Sequence, residues 1–340
     1  MKIFVKTSML AIAACIAAPA QADFSISPRF FLYFDNASQR QSGFEAIGGL
    51  AAGQDAIESE NLSEAFDTPV VVSTDNVTSA SINNQVVYPL VGGAITMDLD
   101  REKRTQVTFS ALYGRSDSQF RTLQNIGQSI SALGFTANDI LALTMEGPVK
   151  TKRLDLELTF QHRLNERFAL LGGLRYEHLK SKGKFDVGFT SSNNASNLFQ
   201  LLFGEGDIEL GLNESEGTSF VTTTDNIYSV RFGGAAFAPI GKRNMVYVNG
   251  LIHVTHTADA KGKTRFVVPE LEFDSSDNIK VKGETTLGPD IAVGYQHRFT
   301  DSIGMDVRYR GIFYFPVSGT KSFDDPRVNH GLNVGLTFAL

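Results

Sequence analysis

The chain has 340 residues and a formal net charge of −6, with 37 acids against 31 Lys and Arg. That balance argues against nucleic acid as a partner. Past the N-terminus no apolar run is long enough for a membrane-spanning helix, and the mean hydropathy is −0.08. Gly reaches 31 and Phe 26, while Trp is absent.

Residues 1–22 read as a secretory signal. Lys2 and Lys6 supply the positive start, Met9 to Ala18 the apolar core, and Ala20-Gln21-Ala22 the small-residue cleavage site. Cleavage there leaves residues 23–340 as a single domain without cysteine; acylation of Cys15 as a lipoprotein is the alternative. From Asp23 the chain alternates. Phe24, Ile26, Pro28, Phe30, Leu32 and Phe34 share one face, with Ser25, Arg29, Phe31, Tyr33 and Asp35 on the other. Pro28 has no N–H and predicts a strand end or a bulge. An acidic polar segment over 36–85 precedes a second strand from Val87 to Leu99. The turn Asp100–Arg104 leads to a third strand with Val107, Phe109, Ala111 and Tyr113 outward.

A second polar segment, 115–151, contains IGQSISALGFTANDILALTM, which predicts a short helix in a loop. The hairpin Arg153–Glu177 follows. Leu154, Leu156, Leu158, Phe160, Phe168, Leu170, Leu174 and Tyr176 form its apolar face; Arg153, Asp155, Glu157, Arg175 and Glu177 lie opposite. After a third loop, 180–225, strands six and seven place Ser229, Arg231 and His253 inward. A fourth loop, 257–285, precedes strands eight and nine, with Asp290, Asp306, Arg308 and Arg310 inward. After a fifth, 316–329, GLNVGLTFAL closes the chain.

Ten strands result, with long segments after the odd ones and short turns after the even ones. Each apolar face is about 9–11 residues long, the length a tilted strand needs to cross a bilayer. The reading is an all-β, antiparallel up-and-down transmembrane β-barrel, with short periplasmic turns and long extracellular loops. From FSISPRFFLYF to GLNVGLTFAL the chain resembles small bacterial outer-membrane β-barrels, a likeness of pattern rather than of motif. The resemblance implies residence in the outer membrane among its lipids and lipopolysaccharide. It also implies handling by the barrel-assembly machinery through the C-terminal strand, where Phe338 and Leu340 keep the outward phase. Apart from the resemblance, the mass of the five long segments favours a surface ligand bound by the loops.

Inside, Arg29, Arg153, Asp155, Glu157, Arg175, Glu177, Arg231, Asp290, Asp306, Arg308 and Arg310 form the expected lumen charge network. A ten-stranded bore is narrow and buried charges must pair. The main expectation is a plugged structural or surface-binding barrel; a narrow Arg-lined channel is the alternative. Catalysis, metal and cofactor are not expected. The strand number also fits omptins, outer-membrane proteases, but Asp98/Asp100 lies at the turn end and no Asp-x-His occurs. Ser229, His253 and Asp290 form the only rim set resembling a nucleophile, base and orienter. His253-Val254-Thr255 resembles the His-x-Ser of outer-membrane lipid hydrolases, with Thr in place of Ser.

Overall fold

The computed structural model describes residues 23–35, 70–81, 86–132, 135–191, 216–268, 273–281, 283–318 and 327–340. It is one antiparallel sheet. Ten strands close on themselves: β1 (Phe24–Asp35), β3 (Val86–Asp98), β4 (Thr105–Ala132), β5 (Phe135–Arg163), β6 (Phe168–Ser191), β7 (Glu216–Ile240), β8 (Asn244–Thr257), β11 (Glu284–Arg298), β12 (Ile303–Ser318) and β13 (Arg327–Ala339). β13 pairs with β1 and seals the ring, so no edge is left to lipid. Three further strands extend the sheet beyond the ring: β2 (Val70–Ser81) on β4, β9 (Ala260–Val268) on β7, and β10 (Phe273–Val281) on β9.

The closure is staggered. Partners traced from Asp35 run through Asn329, Ile312, Asp290, Leu251, Gly233, Leu171, Gln161, Gln106 and Asp98. Asp98 then donates its amide to the Asp23 carbonyl, twelve residues lower on β1 than the start. A stagger of this kind accompanies strands tilted by about 40°. Tilt carries side chains of distant strands to one level of the bore, which matters below.

The four turns are tight. At Asp100–Arg104, Lys103 takes φ 55, and the Asp100 carboxylate accepts the Arg104 and Thr105 amides at 2.8 and 2.6 Å. Gly241, at φ 70, turns β7 into β8 where a Cβ would be strained. Pro28 sits inside β1, and the register with β13 lapses at Ser27 and Pro28.

The polar segments correct the sequence reading. Among the described residues of 126–145 no helix forms: β4 and β5 continue as paired strands, and Ala132 faces Phe135. The described parts of the segments 36–85, 180–225 and 257–285 are likewise strand for the most part, as β2, the far ends of β6 and β7, and the β9–β10 hairpin. The NLFQLLFG stretch (197–204) and the N-terminal segment 1–22 lie outside the described residues. The sheet therefore stands far beyond the ring on one side. Its inner face there buries Phe120, Met145, Val149, Phe185, Val187 and Phe266.

Candidate functional site: the charged lumen

The outer wall is apolar. Ile26, Phe30, Val91, Leu158, Phe160, Leu170, Leu174, Val230, Phe232, Ile252, Ile291, Val293, Leu332 and Leu336 all stand exposed, in the phase that the sequence assigns to the outside. The opposite phase is buried and polar or charged: Arg153, Asp155, Arg175, Glu177, Arg231, Asp290 and Arg310. A soluble fold would reverse this arrangement. A closed sheet, greasy outside and charged inside, satisfies its backbone internally and presents lipid with hydrocarbon. The chain folds as a transmembrane β-barrel.

The lumen charges sort into layers. In the middle, Glu157, Arg231, Asp290 and Arg310 close a four-membered ring. Glu157 takes Arg231 at 2.8 Å and Arg310 at 2.9 Å; Asp290 takes Arg231 at 3.0 Å and Arg310 at 2.5 Å. Two acids and two cations leave the ring neutral. β5, which carries Glu157, and β12, which carries Arg310, lie five strands apart whichever way the ten-strand ring is traced. The Glu157–Arg310 contact therefore spans the full bore.

Towards the extended end lies a second neutral assembly. Arg175 binds Asp155 through Nε and Nη2 at 3.0 and 2.5 Å, Glu177 at 3.1 Å, and donates to the Tyr314 hydroxyl at 3.3 Å. Arg153 bridges Glu177 and Asp35, and its guanidinium lies 3.8 Å over the Tyr33 ring. Arg327 reaches Asp35 at 2.9 Å and stacks over Tyr314. Turning the Asn329 amide lets its nitrogen donate to Asp35 and its oxygen accept from Tyr33. Three arginines thus meet three acids, and aromatic rings fill the space between them.

The turn-end half is different. Asp306 accepts from the Tyr247 hydroxyl at 2.7 Å and from Gln296 at 3.2 Å. Gly294 lies where any Cβ would strike the Tyr247 ring, so the tyrosine reaches Asp306 only past a glycine. Arg29 and Arg308 point into the same space, and among the described residues neither forms an ion pair. The Arg308 Nε is buried without a hydrogen-bond partner.

The rim set does not assemble. His253 places Nε2 2.9 Å from the Phe313 carbonyl and Nδ1 2.8 Å from Thr255 Oγ1. Ser229 Oγ meets Thr255 instead, at 2.8 Å, and Asp290 is taken by two arginines. A carbonyl acceptor fixes the proton on Nε2, so Nδ1 accepts from Thr255. His253 is 1% exposed and packs edge-on to Tyr314. The Ser229 hydroxyl is buried and meets Thr255, with no histidine directly at it. No group of three or more His, Cys, Asp or Glu fit to hold a metal occurs among the described residues.

No family model and no curated protein matches the chain. Among solved structures it is similar to the outer membrane protease OmpT of Escherichia coli, at 10% identity over 94% of this chain and 96% of that one, with a TM-score of 0.37. It is similar also to Ail of Yersinia pestis, at 14% over 60% and 99%, TM-score 0.23. A third is the translocator domain of NalP from Neisseria meningitidis, at 10% over 99% and 95%, TM-score 0.25. Likeness at this level carries no argument about activity.

Sequence reasoning missed Asp35, Arg327, Tyr33, Tyr88, Tyr314 and Asn329 as members of the lumen assembly. Their phase was the available signal. Tyr33 and Asp35 follow Arg29 at even spacing on β1, and Tyr314 follows Arg310 on β12. Arg327 needed β13 to begin before the apolar pattern does.

Proposed function

We propose that this barrel is a closed, non-catalytic scaffold of the outer membrane that holds its extended sheet at the cell surface to bind a ligand there. Signal cleavage after Ala22 and insertion through the C-terminal strand deliver it, with the four tight turns in the periplasm. The observation that carries the reading is the Glu157–Arg310 contact between opposed walls, 2.9 Å long, inside a neutral ring of four charges. A bore crossed by paired side chains leaves no wide path for solute, and separating such pairs in low dielectric is costly. The experiment is conductance in planar bilayers. The wild type should show a low baseline without large, discrete steps, and Arg310→Ala should add leak by removing both the bridge and its bulk. Large steps in the wild type would sink the closed reading.

One observation favours a second reading, a narrow anion-selective path. Arg29 and Arg308 line the turn-end half of the bore, and among the described residues neither forms a direct ion pair with a carboxylate. On that reading wild-type current would be anion-selective and would fall in Arg308→Ala.

A further inference from the structure

The outward face changes character abruptly where the lipid-facing belt stops. On β5 the outward residues Leu158, Leu156 and Leu154 give way at once to Lys152 and Lys150. On β6, Tyr176 and His178 are followed by Lys180, Lys182 and Lys184. These five lysines are exposed, as are Lys261 and Lys263 on β9.

Register places them in rows. Lys152 stands directly opposite Lys180, and Lys150 opposite Lys182. Thr224 and Thr222 of β7 come next, and beyond them Lys261 and Lys263. Lys261 in turn faces Lys280 of β10. Like charges directly opposite on a sheet destabilise it, and here that arrangement occurs three times among lysines and a fourth time where Arg115 of β4 faces Lys152. Three of the acids nearby are already engaged, and Asp186, which follows Lys184 on the outward face of β6, stands opposite Glu146 past the end of the rows. Asp117, opposite Lys150, is held by Arg115 at 3.1 Å, Asp259 lies 3.5 Å from Lys280, and Asp274 lies 2.6 Å from Arg265. Lys150, Lys152, Lys180, Lys182, Lys261 and Lys263 form no ion pair among the described residues.

The patch is also one-sided. At the same end of the opposite wall the outward positions are Phe34, Val87, Thr285, Val317 and Val328, with no cation among them. A general ring of snorkelling lysines would circle the barrel; among the described residues this one sits on β5, β6, β9 and β10.

We propose that this lysine face is a docking site for phosphorylated lipid headgroups of the leaflet that borders the extended end of the barrel. Position and charge both argue for it. The rows begin at the first outward position past the hydrocarbon belt, the level that headgroups occupy. Several unpaired ammonium groups on a flat sheet match a ligand with more than one phosphate, to which lysine binds as a point charge. The proposal rests on the outward placement of the extended end only for which leaflet is meant.

The test uses the refolded full chain in uncharged detergent, so its outcome is independent of orientation and of whether the lumen conducts. The probe is a fluorescent diphosphorylated lipid A, set against its dephosphorylated form. Wild type should bind the phosphorylated lipid at least about tenfold more tightly, and added salt should erode the preference. The variant K150Q/K152Q/K180Q/K182Q should lose it while retaining, or raising, its unfolding temperature in detergent without lipid, because like-charge pairs are relieved. K150R/K152R/K180R/K182R should keep the preference and serves if the glutamine variant does not fold. Equal binding of the two lipids by wild type, or an unchanged preference in the glutamine variant, would overturn the proposal. So would tight binding of soluble dextran sulfate with no preference between the lipids, which would reassign the patch to a free polyanion.

Discussion

Arg310 makes the decisive contacts of the lumen, holding Asp290 with two nitrogens and Glu157 with a third. Removing it leaves Glu157 and Asp290 to share Arg231, with one negative charge uncompensated in a buried site. Such a loss typically costs about 3–5 kcal/mol. Arg310→Met should therefore lower markedly the temperature at which the folded, heat-modifiable band disappears on a gel. Glu157→Leu combined with Arg310→Met should recover most of the loss, because the Arg231–Asp290 pair at 3.0 Å then stands alone and neutral. A double variant as unstable as the single one would show that the ring does not act as a charge-balanced unit. Periodicity told which side chains face inward, since a strand has two faces and one here is charged. It could not tell who meets whom. Glu157 and Arg310 are 153 positions apart and on opposed walls, and only the stagger of the closed sheet brings them to one level.

The strand that crosses the belt is the element best read from sequence, because lipid on one side and charge on the other force strict alternation. Leu158 stands 42% exposed on the outer wall in mid-strand, while Gln161 points inward near the turn. Leu158→Arg should cost roughly 2–4 kcal/mol, the depth-dependent price of Arg against hydrocarbon, and Gln161→Arg much less. Urea unfolding of the two variants in lipid vesicles checks it. Past the belt the alternation fades, since water wets the outer face and polar residues serve there. That is why the far halves of β4 and β5 read as a loop with a helix, although Met145 and Val149 keep the inward phase. The turns are governed differently, by single polar groups. Hydrogen bonds from Thr105 and Arg104 hold the Asp100 carboxyl below its ordinary value of 3.8. A depressed folded pKa means that this support is present above pH 3.8 and is lost as pH falls through the lower folded value. Asp100→Asn should thus lower the unfolding temperature at neutral pH, and the difference from wild type should shrink towards zero in strong acid. A difference that persists there would mean that the side chain acts through shape, not charge.

At the scale of the whole molecule the two ends of the barrel are unequal. One end has four tight turns; at the other β4, β5, β6 and β7 run on as a sheet that adds β2, β9 and β10. The closing end of β13 lies beside those turns, where Ala339 donates its amide to the Ser302 carbonyl and Leu340 to that of Phe24. Both chain ends of the ring therefore sit on the turn side, which is the side a chain arriving from the periplasm occupies. The sequence holds one cysteine, Cys15, so with Cys15 changed to serine single cysteines report position without interference. Cysteine placed at Lys263 or Asn278, both exposed on the β9–β10 hairpin, should react with a membrane-impermeant maleimide on intact cells. Cysteine at Lys242, in the β7–β8 turn, should react only after the outer membrane is permeabilised. Labelling of Lys242→Cys on intact cells, with Lys263→Cys protected, would invert the barrel and place the extended sheet in the periplasm.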